Sequence, residues 1–148
     1  MDAAKIVSKI SKEHGIIKNV YFLACGGSLV DLYPGYYFVR AESAVMDAQW
    51  IPAREFALTP PKKLGKDSLL IICSHSGKTK ECLEAAKVGI NAGAAVVTMT
   101  HAPGSPCDCE EWISVVYDWA PGVKEAQKPQ GIVLGILNEL MKAQEPGY

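Results

Sequence analysis

The chain has 148 residues, 49% of them hydrophobic and 21% charged, a balance that fits one globular domain with an ordinary buried core and excludes a disordered segment. A net charge of −1 excludes a surface built to neutralise a run of nucleic-acid phosphates. The longest apolar run, around residues 69–73, is too short to cross a bilayer, and the start Met1-Asp-Ala-Ala-Lys5 lacks a charged-then-apolar leader, so a cytoplasmic protein with no membrane or nucleic-acid partner is expected.

Residues 3–13 place Ile6, Val7 and Ile10 at helical spacing, and Gly15 stops that helix. Residues 20–25 follow as an apolar run of strand length ending in Gly26-Gly27. A strand apolar on both faces suits a parallel sheet covered on both sides. Ser28 is placed to cap a helix reaching about Val39, with Pro34 and Gly35 kinking it or breaking its first turn. Residues 43–51 read as a weaker strand near the sheet edge; Pro52 then opens a short helix over 53–56, closed by Thr59-Pro-Pro61. Residues 68–73 form the clearest strand. It runs through Ser74-His-Ser-Gly-Lys-Thr79 into a helix over about 78–92 that carries Cys82, Ala85, Ala86 and Ile90 inward and ends at Asn91-Ala-Gly93. Residues 94–99 read as another buried strand, 101–106 as a loop and 112–117 as the last strand. A helix over about 129–143 offers Ile132, Val133, Ile136, Leu137 and Leu140 to the sheet. Helix and strand alternate throughout, which predicts a single three-layer α/β/α sandwich over residues 1–148 on a mostly parallel five-stranded sheet, flavodoxin-like or Rossmann-like.

Five cysteines, an odd number with no leader, are expected as reduced thiols. Cys107-Asp-Cys109 after His101 matches neither usual zinc spacing, so no metal site is expected. Ligands of open parallel sheets gather at the carboxyl ends of the strands, where two small, polar loops fall: Cys25-Gly-Gly-Ser28 and Ser74–Thr79. The second opens the best helix. Its backbone N–H groups and the hydroxyls of Ser74, Ser76 and Thr79 lie at the positive end of a helix dipole, an arrangement suited to a phosphate, and Gly77 lets the backbone approach the anion. The plain alternative is a polar turn with a helix cap. Gly77-Lys-Thr79 is not a nucleotide P-loop, because position 72 is Ile where that motif has glycine, and Gly26-Gly-Ser-Leu-Val-Asp31 is not a dinucleotide fingerprint.

Ser-x-Ser-Gly-x-Thr at one strand–helix junction, preceded by Gly-Gly-Ser at another, resembles the signature of sugar isomerase (SIS) domains. Phe22-Leu-Ala-Cys-Gly-Gly-Ser28, Tyr33-Pro34, Glu55-Phe56, Ile72-Cys-Ser-His-Ser-Gly77, Ser105-Pro106 and Tyr117-Asp-Trp119 look like the first half of fructoselysine-6-phosphate deglycases, relatives of the isomerase half of glucosamine-6-phosphate synthase. The resemblance covers roughly residues 18–120; residues 121–131 depart from it. It implies that Ser74, Ser76 and Thr79 hold a sugar phosphate with backbone help from His75, Gly77 and Lys78, and that Gly27 and Ser28 face the sugar. It implies no metal or organic cofactor. The family's acid–base Glu and ring-opening His, in a segment like Glu-Tyr-x-x-His-Gly-Pro, lie in a second domain, and this chain has no such segment. The chain is therefore expected to be the first half of a two-domain protein.

Among local groups, Glu55 is the best carboxylate for a proton transfer, against a salt bridge to Arg40 or Arg54. His75 is weighed as a group that polarises a sugar oxygen against one that turns away from the ligand, and it is expected to act through its backbone. His101 is weighed as a catalytic contributor against a solvent-facing loop histidine, Glu125 is a weaker candidate, and His14 ends a helix as a structural cation. Trp112, Tyr117 and Trp119 are expected in the core or an interface. A half-unit that pairs with a sister domain should expose an apolar patch near the late helix and Tyr117, and so form a homodimer. The leading expectation is a phosphosugar-binding domain of a deglycase or aldose–ketose isomerase, acting on fructosamine 6-phosphates such as fructoselysine 6-phosphate. The alternatives are a non-catalytic sugar-phosphate sensor and a half-unit that only dimerises.

Overall fold

The computed structural model describes residues 2–148. Five strands, β1 (Asn19–Ala24), β2 (Asp47–Pro52), β3 (Ser68–Cys73), β4 (Ala95–Thr100) and β5 (Ile113–Val116), form one sheet in the order β2-β1-β3-β4-β5. Every neighbouring pair is parallel. The helices are α1 (Ala3–His14), α2 (Gly27–Glu42), α3 (Ala53–Leu58), α4 (Lys80–Asn91) and α5 (Pro129–Gln144), with a 3₁₀ turn at Glu125–Gln127.

Side-chain alternation splits the apolar strands between two cores. Val20, Phe22, Leu69, Ile71 and Val97 face α1, α2 and α5, together with Ile6, Ile10, Leu32, Val133 and Leu137. Tyr21, Leu23, Leu70, Ile72 and Val96 face α3 and α4, with Phe56, Cys82, Ala85 and Ala86. All six side chains of β3 are buried, each apolar one contributing about 1.5–3 kcal/mol. This is the three-layer sandwich that the alternation of elements predicts.

Several local expectations change. Ser28 is not the N-cap of α2: Gly26 occupies that place and no side chain caps the helix. The helix runs unbroken past Pro34 to Glu42, because the N–H that proline lacks falls on a face where Val30 and Pro34 are exposed to water. Strand β2 starts at Asp47 rather than 43, since Ser43 Oγ accepts the N–H groups of Val45 and Met46 and turns the chain. That hydroxyl donates to Glu145 Oε2 (2.6 Å), and Glu145 Oε1 accepts Ala44 N–H (2.7 Å). Gln144 makes a second clasp, with Oε1 accepting Ile17 N–H at 2.6 Å and Nε2 donating to Ile17 O at 3.0 Å. Helix α4 starts at Lys80 rather than 78. Ile90, expected inward, is exposed, and Gly89 meets the sheet in its place; a Cβ there would sit 2.5 Å from Leu70 Cδ2. Exposed apolar side chains gather on α2 (Val30, Tyr33, Tyr37), whereas Val133, Ile136, Leu137, Leu140 and Met141 of α5 are covered by its neighbours.

Candidate functional site

In this sheet the strand order reverses between β1 and β3, and the loops leaving their carboxyl ends flank the crevice where such folds take ligands. After β1, Cys25 and Gly26 lead into the first turn of α2, which opens with Gly27 and Ser28; both glycines are exposed and Ser28 is half-buried. The loop after β3 is residues 74–79. The structure thus brings the two sequence-predicted segments side by side.

Ser74 is the buried pivot of the second loop, 2% exposed. Its N–H donates to Met99 O (2.9 Å), its Oγ accepts Gly77 N–H (3.1 Å) and lies 2.7 Å from Thr79 Oγ1. Thr79 is the N-cap residue of α4, but its hydroxyl is turned to Ser74, and no side chain caps the helix. Ser76 is exposed and its Oγ accepts Lys78 N–H at 3.2 Å. The N–H groups of His75, Ser76 and Thr79, and those of Lys80, Glu81 and Cys82 at the start of α4, take no acceptor among the described residues. Open amides, adjustable hydroxyls and the helix dipole together make a cradle for an anion. The Lys78 side chain stands exposed beside it.

The loop is held from beneath. His75 O accepts from Thr100 Oγ1 (3.1 Å) and His101 N–H (3.2 Å), and Gly77 O accepts Cys107 N–H (3.0 Å). Gly77 has φ +70°, and a Cβ there would fall on Ser105 Oγ. Glycine is required twice over.

The His75 ring is held in place by its neighbours while its peptide lies in the loop. Its Nδ1 is 2.8 Å from Tyr117 OH, and the ring stacks on His101 at 5.0 Å and 12°. His101 Nδ1 faces Tyr117 O at 3.1 Å, and since a carbonyl oxygen only accepts, that nitrogen carries the proton. His101 is half-buried rather than solvent-facing. Trp119 stands edge-on to His75 at 5.3 Å. Tyr117 is buried in the core, whereas Trp119 is 50% exposed.

Asp31, one turn into α2, carries no obvious sequence signal. It is half-buried, and its Oδ1 accepts Gln130 Nε2 at 3.2 Å. Burial raises its pKa above the usual carboxylate value, and the charge of nearby His75 pulls it back. Burial also lifts the Cys73 thiol to about 12, aided by the Asp31 charge and opposed by the hydroxyls of Tyr117 and Ser28. Cys107, under the loop, is pushed by burial up to about 11 against the Ser74 hydroxyl. Tyr117 is raised chiefly by burial.

Glu55 lies exposed in the first turn of α3, at the end of edge strand β2 and across β1 from the 74–79 loop. No ion pair ties it to Arg40 or Arg54 among the described residues. Glu125 is exposed and bound to Lys128 at 2.8 Å, and His14 Nδ1 faces Lys66 O at 3.0 Å. Among the described residues no three His, Cys, Asp or Glu side chains converge as metal ligands, and no helix is long and apolar enough to cross a membrane.

No family model matches the sequence. The chain is 36% identical to fructosamine deglycase FrlB of Bacillus subtilis (strain 168) over 121 residues, 82% of this chain and 37% of that protein. It is 32% identical to the isomerizing glutamine–fructose-6-phosphate aminotransferase of Clostridium tetani (strain Massachusetts / E88), across 94% of this chain and 23% of that one. The fold superposes with a TM-score of 0.92 and 34% identity on the crystal structure of a candidate phosphosugar isomerase from Salmonella typhimurium LT2, covering 99% of this chain and 44% of that structure. The chain spans less than half the length of each of these three proteins.

Proposed function

This chain belongs to the sugar isomerase (SIS) domain family, and from that premise we propose that it is the phosphosugar-binding part of a deglycase acting on fructosamine 6-phosphates such as fructoselysine 6-phosphate. The observation that carries the reading is the 74–79 loop, where three hydroxyls and a row of open amides meet the N-terminal end of α4 at the sheet's switch point. The hydroxyls of Ser76 and Thr79 and the open amides of His75, Ser76 and Thr79 take the phosphate, and Gly27 and Ser28 border the sugar. In such a reaction the phosphate anchors the substrate while a base removes a proton from C1 of the ketosamine. The resulting 1,2-enaminol regains a proton at C2, and water splits the imine into glucose 6-phosphate and the free amine. The 74–79 loop itself offers no carboxylate for the proton transfer, so the loop binds and positions the substrate, and the acid–base pair comes from outside the loop, in the second domain that the family resemblance implies.

Calorimetry with fructose 6-phosphate, fructoselysine 6-phosphate and unphosphorylated fructose tests the reading. Both phosphosugars should bind, fructose should not, and neither phosphosugar should be converted above background. Equal binding of fructose, or none of any sugar, overturns it. Robust turnover abolished by Glu55→Gln would place the base in this chain, at the start of α3.

A further inference from the structure

The anion cradle uses the peptide of His75 and leaves its ring unassigned. That ring is fixed from several sides. One face stacks on His101 at 5.0 Å and 12°, Trp119 stands edge-on at 5.3 Å and 69°, and Nδ1 lies 2.8 Å from Tyr117 OH. Tyr117 is buried, whereas His75 is exposed. The two nitrogens of an imidazole flank one carbon, so a ring whose Nδ1 is turned inward to a buried hydroxyl turns its Nε2 edge outward. An unsupported surface histidine rotates freely away from a ligand; this one is held.

The ring borders the crevice that the cradle opens into. The His75 N–H is one of the open amides, so a phosphate held there lies within a side-chain length of the ring. Cys73, which pairs with Ala24 between β3 and β1, has the hydroxyls of Ser28 and Tyr117 beside its thiol. Ser28 and Tyr117 thus flank one sulfur atom, and the ring bonded to Tyr117 shares the crevice with Ser28. Burial keeps both Tyr117 and Cys73 protonated, so the phenol has a hydrogen to donate. Its better acceptor is the imidazole nitrogen; a proton on Nδ1 would leave the phenolic hydrogen to the sulfur, a weak acceptor.

We propose that Tyr117 donates to His75 Nδ1 and so holds the ring as its Nε2–H tautomer, and that this N–H donates to an oxygen of the sugar chain when a hexose 6-phosphate occupies the 74–79 loop. The inference rests on the phosphosugar reading and adds a contact to the sugar itself. His75 then holds the ligand twice, by its peptide N–H at the phosphate and by its ring N–H at the chain, with Tyr117 as the positioning residue. An uncharged donor suits a hydroxyl or carbonyl oxygen. Fructose 6-phosphate offers such oxygens beyond the cradle, and inorganic phosphate does not.

Two measurements on the full chain test this. In the ligand-free chain at about pH 8.5, long-range proton–nitrogen correlation spectra of its three histidines should show His75 with a hydrogen on Nε2 and a bare Nδ1. Tyr117→Phe should shift the ring to a mixture of both tautomers. A bare Nε2 in the parent, or a ring unmoved by Tyr117→Phe, overturns the proposal. Calorimetry at the same pH with fructose 6-phosphate and inorganic phosphate then reads the contact. His75→Phe keeps a flat ring against His101 but has no donor, and it should cut the preference for fructose 6-phosphate about three- to tenfold, the share of one neutral hydrogen bond. Tyr117→Phe should cut it in the same direction, and melting temperatures near that of the parent check both folds. An unchanged preference in His75→Phe, or an equal loss of both ligands, overturns the sugar contact and leaves the phosphosugar reading standing. Failure of fructose 6-phosphate to bind the parent overturns that reading and the contact with it.

Discussion

Replacing Gly77 by alanine probes how the 74–79 loop is held against the rest of the domain. Gly77 has φ +70°, where an L side chain costs about 1–2 kcal/mol. The new methyl would fall on Ser105 Oγ, 2.5 Å from Ser105 Cβ and 2.8 Å from Thr100 Oγ1. Ser105 is buried and its hydroxyl donates to Ala102 O at 2.6 Å. Displacing it breaks that bond, for about 1 kcal/mol, and forcing a methyl into a packed site adds about 1–3 kcal/mol. Gly77→Ala should therefore destabilise the domain by about 3–6 kcal/mol, a large share of the 5–15 kcal/mol typical of a domain. Urea unfolding of Gly77→Ala, Ser105→Gly and the double variant isolates the clash. Ser105→Gly alone should cost about 1–2 kcal/mol, through the lost bond and a freer chain. Because it also removes both residue-105 atoms that the methyl meets, the double variant should be at least about 2 kcal/mol more stable than the sum of the singles predicts. Additivity within about 0.5 kcal/mol would refute this account of why the loop needs glycine.

Ser76→Ala should weaken hexose 6-phosphate binding about tenfold or more, since a bond to a charged group contributes about 1.5–3 kcal/mol, with folding stability almost unchanged because the exposed hydroxyl accepts only Lys78 N–H; unchanged calorimetric affinity would place the anion elsewhere. Alkaline pH should destabilise the fold: Cys73 and Cys107 stay protonated in the folded domain up to about 12 and about 11, whereas in the unfolded chain they ionise near 9.0. Their contribution is complete below pH 8 and is lost from about pH 9 upward, at about 1.4 kcal/mol per pH unit for each thiol; a urea midpoint constant from pH 7.5 to 10.5 would count against it. The domain should sediment as a homodimer through the exposed Val30, Tyr33 and Tyr37 face of α2, and Tyr37→Glu should give a monomer; a strictly monomeric parent at high concentration excludes that contact.

Legibility in the sequence followed the range of the interactions that decide each feature. Strands β1, β3 and β4 show as short apolar runs because both their faces are covered, and the 74–79 loop shows because hydroxyls, glycine and the coming helix are neighbours in the chain. The start of β2 does not show, because Ser43 is turned by a bond to Glu145, 102 residues away. The inward place of Gly89 instead of Ile90 depends on how closely α4 approaches Leu70, which helical periodicity does not encode. Asp31 reads as an ordinary helix carboxylate until the fold sets it near His75 and Tyr117, and Ser105 reads as a loop residue until it comes to lie beneath Gly77.

The two clasps at the end of α5 also bear on the order in which the domain is made. Gln144 closes on Ile17 across 127 positions, and Glu145 closes on Ser43 and Ala44 across 102 and 101. Loop-closure entropy of that length is recovered only when both ends are present. During synthesis, at about 5–20 residues per second, β1 to β4 are available well before α5 reaches the face they leave open. Phe22, Ile71 and Val97 are then covered on that side only by α1 and α2 for several seconds, until Val133 and Leu137 arrive. The nascent domain is thus most exposed to aggregation just before its last helix emerges, and binding of a chaperone to chains halted near residue 128 would be the sign of it.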